Sequence, residues 1–127
     1  MQDKVTYEYA VIRVMPKVER CEFFNVGVIL FSKRKKILDV KFHVDPKKLA
    51  AFTDEVDAQF LNDYLTSWKQ ICEGSPKGGA IGQFELSDRF RWLAASRSTM
   101  IQSSKTHSGL CDDPAAVLEA LFERYVG

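Results

Sequence analysis

The stretch Phe23-Phe-Asn-Val-Gly-Val-Ile-Leu-Phe-Ser32 decides the fold. Its apolar residues occupy both alternating faces, the pattern of a strand covered from both sides. Gly27 interrupts it, and a missing side chain inside a strand marks a bulge or the close approach of another element. Immediately downstream, Lys33-Arg-Lys-Lys36 is short enough for a hairpin. Beyond it, Ile37 to Val44 alternates cleanly, with Leu38, Val40, Phe42 and Val44 pointing one way and Asp39, Lys41 and His43 the other. Upstream, Tyr7 to Met15 is rich in aromatic and β-branched residues and stops at Pro16.

Helices follow this three-strand unit. Asp45-Pro46 opens a short one through Phe52, since proline suits a first helical position. Val56, Phe60, Leu61, Tyr64, Leu65, Trp68, Ile71 and Cys72 recur at helical spacing. The run Gly74-Ser-Pro-Lys-Gly-Gly79 ends that helix in a mobile loop. Ser87 is placed to cap a helix carrying Phe90, Trp92 and Leu93. Asp113 before Pro114 caps the last helix, whose apolar positions are Val117, Leu118, Leu121, Phe122, Tyr125 and Val126. Thr99 to Ser103 is a candidate fourth strand. The aromatic residues, Trp68 and Trp92 among them, fall mainly on core faces. Strands followed by helices predict an α+β fold: an antiparallel meander of three to four strands packed by three to four helices.

A chain of 127 residues reads as a single domain spanning 1–127. With 46% hydrophobic residues it supports a core without staples. Its 18 basic residues against 17 acidic ones give a net charge of +1 and remove any global argument for nucleic acid or membrane attraction. Cys21, Cys72 and Cys111 are odd in number and lack CxxC spacing, so reduced thiols and a cytoplasmic location are expected. The segment Met1 to Thr6 has no signal region, and no apolar run approaches a membrane span.

The densest polar stretch runs from Ser96 to Asp113. Arg97, Ser98, Thr99, Gln102, Lys105, His107 and Asp113 make it the candidate binding segment, because hydroxyls beside cations supply charge-assisted donors for an anion. The plainer account is a long loop whose short polar side chains bond their own backbone. Asp112 and Asp113 already hold the positive end of the last helix, which places any anion nearer Arg97 and Lys105. His107 and Cys111, four apart in such a loop, are candidates for a base and nucleophile with Asp112 or Asp113 orienting the base. The enzymatic alternative is a small hydrolase or phosphoryl-transfer protein with His107 as general base or nucleophile and Arg97 as anion clamp. His107 and Cys111 supply only two of the four ligands a structural zinc needs, and Cys21 and His43 have no spacing that would complete the set; no metal and no cofactor are expected. Lys33, Arg34, Lys35 and Lys36 form the one local charge run. They offer a nucleic-acid alternative, although lysines at a hairpin tip more often block edge pairing.

Several ordered stretches carry a family likeness: Tyr9-Ala-Val-Ile-Arg-Val-Met-Pro16, Val18-Glu-Arg20, Glu22-Phe-Phe-Asn-Val-Gly-Val-Ile-Leu30, Arg97-Ser-Thr-Met-Ile-Gln102 and His107-Ser-Gly-Leu-Cys-Asp-Asp-Pro114. Together they resemble a bacterial domain of unknown function, DUF3037, over nearly the whole chain. Cys21 stands where that pattern has glycine, which weakens any role for its thiol. The resemblance brings no catalytic residues with it. It implies a short companion of HipA-like kinases, hence a protein-interaction or regulatory partner. It also implies that Arg97, Gln102, His107 and Asp113 are the first positions to test.

Overall fold

The computed structural model describes residues 4–15, 23–52, 57–95 and 101–126. Five strands, β1 (Val5–Val14), β2 (Phe24–Ser32), β3 (Ile37–Phe42), β4 (Ile101–Ser103) and β5 (His107–Cys111), form one antiparallel sheet. Its order is β3-β2-β1-β4, and β5 also pairs with β1. Four helices pack on it: α1 (Pro46–Phe52), α2 (Ala58–Glu73), α3 (Leu86–Ala94) and α4 (Pro114–Tyr125). The α+β meander expected from the sequence is present, with five strands where three or four were anticipated.

Two-sided burial of β2 follows from what covers it. On one face Val26, Ile29 and Phe31 join Ala10, Ile12 and Val14 of β1 and Leu38 and Val40 of β3. Leu61, Leu65 and Trp68 from α2 and Phe90 and Leu93 from α3 close this larger core. On the other face Val28 and Leu30 meet Leu118 and Leu121 of α4. Each aliphatic side chain so buried contributes about 1.5–3 kcal/mol.

Gly27 does both things its position suggested. The β1–β2 register slips between Ile12 and Arg13, a bulge opposite Gly27 and Asn25. A Cβ on Gly27 would also stand 2.7 Å from the Lys41 carbonyl and 2.9 Å from the Phe42 Cβ of β3.

The segment after residue 100 departs from the loop reading. Ile101–Ser103 and His107–Cys111 both lie along β1, with Ile12 opposite Ser103 and Tyr9 opposite His107. Ala10 and Val11 therefore face Ser104, Lys105 and Thr106, one residue too many, so β4 and β5 are two halves of one edge strand broken by a bulge. Ser104 fills the gap. Its Oγ accepts from the Val11 N–H at 2.8 Å and its own N–H donates to the Val11 carbonyl at 2.8 Å. Polar residues stretch this far as a strand because β1 supplies the ladder, a partner no local pattern reveals.

The helix ends mostly match their sequence signals. Asp57 caps α2, accepting from the Gln59 N–H, and Gly74 closes it in the left-handed conformation at φ 68°. Asp113 caps α4, accepting from the Ala115 N–H at 3.1 Å. Ser87 does not cap α3; the helix starts one residue before it, with Glu85 at the cap position and no side-chain bond. Residues 74–79 also differ from a bare loop: Pro76–Gly78 is a 3-10 turn, a second follows at Ile81–Gln83, and Gly78 packs against the backbone of Gln70 and Ile71. Phe60 and Trp92, expected on core faces, are exposed, at 58% and 45%. No described helix is long and apolar enough to cross a membrane.

Candidate functional site

The two faces of the sheet are covered unequally. Helix α4 crosses β2 and β3, where its Glu119 pairs with Lys41. Over β1, β4 and β5 no described helix covers the same face to that extent: Val11 is buried, Tyr7, Tyr9, Arg13 and Gln102 are half-buried and His107 is exposed. Alternation along β1 puts Tyr7, Tyr9, Val11 and Arg13 there, and the register places Gly109, His107 and Gln102 opposite Tyr7, Tyr9 and Arg13.

Two features stand on this open half. The first is aromatic. Tyr9 contacts His107 (ring centroids 5.3 Å), Tyr125 (6.3 Å) and Tyr7 (6.2 Å). The Tyr7 ring lies over Gly109, where any Cβ would come within 2.6 Å of its hydroxyl. A hydrogen bond between the Tyr9 and Tyr125 hydroxyls, 3.4 Å apart, together with burial pushes the Tyr9 phenol up to about 12. The folded state thus favours the protonated phenol. Its stabilisation is complete below the ordinary value of 10 and is lost as pH rises through about 12. Tyr125→Phe is expected to return the Tyr9 titration toward 10 in a UV absorbance titration and to cost about 0.5–1.5 kcal/mol. An unchanged Tyr9 titration would show that the hydroxyl contact is not its cause.

The second feature is a polar row crossing three strands: Gln102 on β4, Arg13 on β1 and Asn25 on β2. Arg13 lies 4.5 Å over the half-exposed Phe23 ring, and no carboxylate pairs with it among the described residues. Asn25 donates its amide to the Tyr125 carbonyl at 3.1 Å. The Arg13 Nε and the Asn25 Oδ1 are buried without hydrogen-bond partners. Each such unmet group costs about 1–3 kcal/mol until something satisfies it.

The sequence candidates distribute as follows. Gln102 and His107 belong to this surface, and Lys105 is exposed at the bulge beside it. Asp113 is committed to its cap. Arg97, Ser98, Thr99 and Cys21 lie outside the described residues. His107 and Cys111 share a strand and a face four residues apart, about 13 Å, too far to touch. Burial, then the neighbouring Asp112 and Asp113, hold the Cys111 thiol above its ordinary range, the wrong direction for a thiolate nucleophile. His43 follows β3, on the opposite side of the sheet from β5. Lys33, Arg34, Lys35 and Lys36 form the exposed β2–β3 turn, where Glu85 shares a cleft with Lys33 and Lys36 and offsets part of their charge.

Sequence reasoning missed Arg13, Asn25, Tyr9 and Tyr125. A signal existed for the first two: a cation and an amide interrupt otherwise apolar strands, which core packing does not require. Four of the stretches that carried the family likeness converge on this face, Arg13 and Tyr9 from the first, Asn25 from the third, Gln102 and His107 from the last two.

Fold and surface define a class: a small α+β protein whose antiparallel sheet is clad by helices on one face and half clad on the other, with an aromatic and polar platform in the gap. The chain belongs to the family described as Protein of unknown function (DUF3037), whose model matches residues 9–126. No curated protein and no solved structure matches it.

Proposed function

We propose that this chain is a cytoplasmic protein-interaction module, a regulatory partner of a HipA-like kinase, and that it binds through the open half of the sheet. The observation carrying this reading is the row Gln102–Arg13–Asn25 beside Tyr9, His107 and Tyr125. It is a surface where, among the described residues, the Arg13 guanidinium meets no carboxylate, where two polar atoms are buried without hydrogen-bond partners, and where Tyr9 and Tyr125 are half-buried. Arg and Tyr anchors of this kind dominate protein interfaces. Arg97, Ser98, Thr99, Lys105 and Asp113 belong to the proposed contact segment through the likeness in sequence. The choice of kinase rests on that likeness alone. Among the described residues, the separation of His107 from Cys111 and the placing of Glu85 beside Lys33 and Lys36 lend no support to the hydrolase alternative or to nucleic-acid binding at the lysine turn.

The test is co-purification with a HipA-like kinase encoded beside the gene. The two chains should co-elute, and Arg13→Gln or His107→Ala should weaken binding by about tenfold or more. Separate elution at micromolar concentration, with kinase activity unchanged, would sink the reading.

A further inference from the structure

The two edges of the sheet are treated differently. On β3, Asp39 pairs with Lys69 of α2 and Lys41 with Glu119 of α4, so charged clamps from both layers guard the edge. Charges in such positions deter further pairing. Among the described residues the β5 edge has no such guard. From Thr106 to Cys111 it carries no carboxylate, lysine, arginine or proline, and Leu110 is 65% exposed. Among the described residues, β5 has a strand neighbour on one side only, β1. The helices lie mainly over β2 and β3, away from this edge.

The charges at the ends of this neutral strand choose its occupant. It begins at Lys105 and ends at Asp112 and Asp113, all three exposed. An antiparallel neighbour matching it must run from basic through uncharged to acidic, and β5 itself does so. We infer that β5 pairs antiparallel with β5 of a second copy of this chain, Gly109 lying on the twofold axis.

The register follows from symmetry and charge. A twofold axis perpendicular to the sheet keeps facing residues on one side, so the pairing must centre on a residue. Centred on Gly109, it sets Lys105 against the partner's Asp113, Thr106 against the partner's Asp112 and Ser108 against the partner's Leu110. Centring one residue earlier leaves Lys105 facing the partner's Cys111, with no charge to meet. Gly109 suits the axis because the space a side chain would fill is held by the Tyr7 ring, and two such rings then meet across it. The result joins two sheets into one and sets two copies of the open face side by side. So short an interface is small for a stable dimer, which predicts a concentration-dependent, micromolar association.

Sedimentation equilibrium on the purified full chain, without any kinase, separates this from the partner reading. A monomer–dimer equilibrium is expected, with backbone amides of residues 107–111 gaining exchange protection as concentration rises. Leu110→Lys should abolish the dimer, and Lys105→Glu, which sets a carboxylate against the partner's Asp113, should weaken it about tenfold. Both positions are exposed, and an unchanged circular-dichroism melt confirms the fold. A chain that stays monomeric to several hundred micromolar overturns the inference, as does a dimer indifferent to Leu110→Lys. Protection of β5 that arises only when the kinase is added overturns it too, because the edge then belongs to a different partner.

Discussion

Phe90→Ala is expected to destabilise the protein by about 3–5 kcal/mol, the largest loss from any single side chain of α3. Phe90 is fully buried, and its ring stacks on that of Phe31 at 5.3 Å. That contact joins α3 to the central strand, so truncation removes a large apolar group and leaves a cavity between two elements that cannot easily collapse. Against a total of about 5–15 kcal/mol for a domain, this is a large share. In urea the midpoint should fall by roughly 1–3 M with little change in slope. The neighbouring Trp92→Ala supplies the contrast. Trp92 is 45% exposed and its loss should cost no more than about 1 kcal/mol. Equal losses at the two positions would mean that α3 is rotated from the orientation described.

That contrast also marks where local pattern stops informing. Periodicity placed α3 correctly but counted both Phe90 and Trp92 as core; two aromatic residues two positions apart on a helix point to nearly opposite sides, and the pattern does not choose between them. The two-sided burial of β2 was legible because it needs only the composition of one run. The capping by Asp113 was legible because the cap is a local bond. β4 falls inside the candidate strand 99–103, but β5 was not legible, since its pairing with β1 spans about ninety residues and the bulge before it is filled by Ser104 bonding Val11. The site shows the same division. Gln102 and His107 were visible as members of a polar stretch, whereas Arg13 and Asn25 acquire meaning only once the β1–β2 register sets them opposite each other. His107 and Cys111, which a loop could have brought together, are held apart because extended backbone separates residues four apart.

Gly27→Ala should be the second large effect, and it ties the fold to the site. The added Cβ would lie 2.7 Å from the Lys41 carbonyl oxygen and 2.9 Å from the Phe42 Cβ. Both belong to the neighbouring strand, so relief requires β2 and β3 to separate rather than a side chain to turn. Overpacking of this kind costs about 1–3 kcal/mol, and a backbone contact belongs at the upper end of that range. The displacement would act where the β1–β2 register slips, one step from the Arg13–Asn25 pair. The Asn25 amide should therefore lose its bond to the Tyr125 carbonyl, visible as a shift of its side-chain NH₂ resonances toward solvent-exposed values. Gly79→Ala is the control. It has open space around the new Cβ but a φ of 67° with ψ −155°, so its cost of about 1–3 kcal/mol comes from backbone conformation and should leave the Asn25 resonances unmoved. If Gly27→Ala stays within 0.5 kcal/mol of the parent by urea denaturation and the Asn25 signals do not move, the bulge does not set the geometry of the polar row. The open face would then have to be positioned by α4 alone.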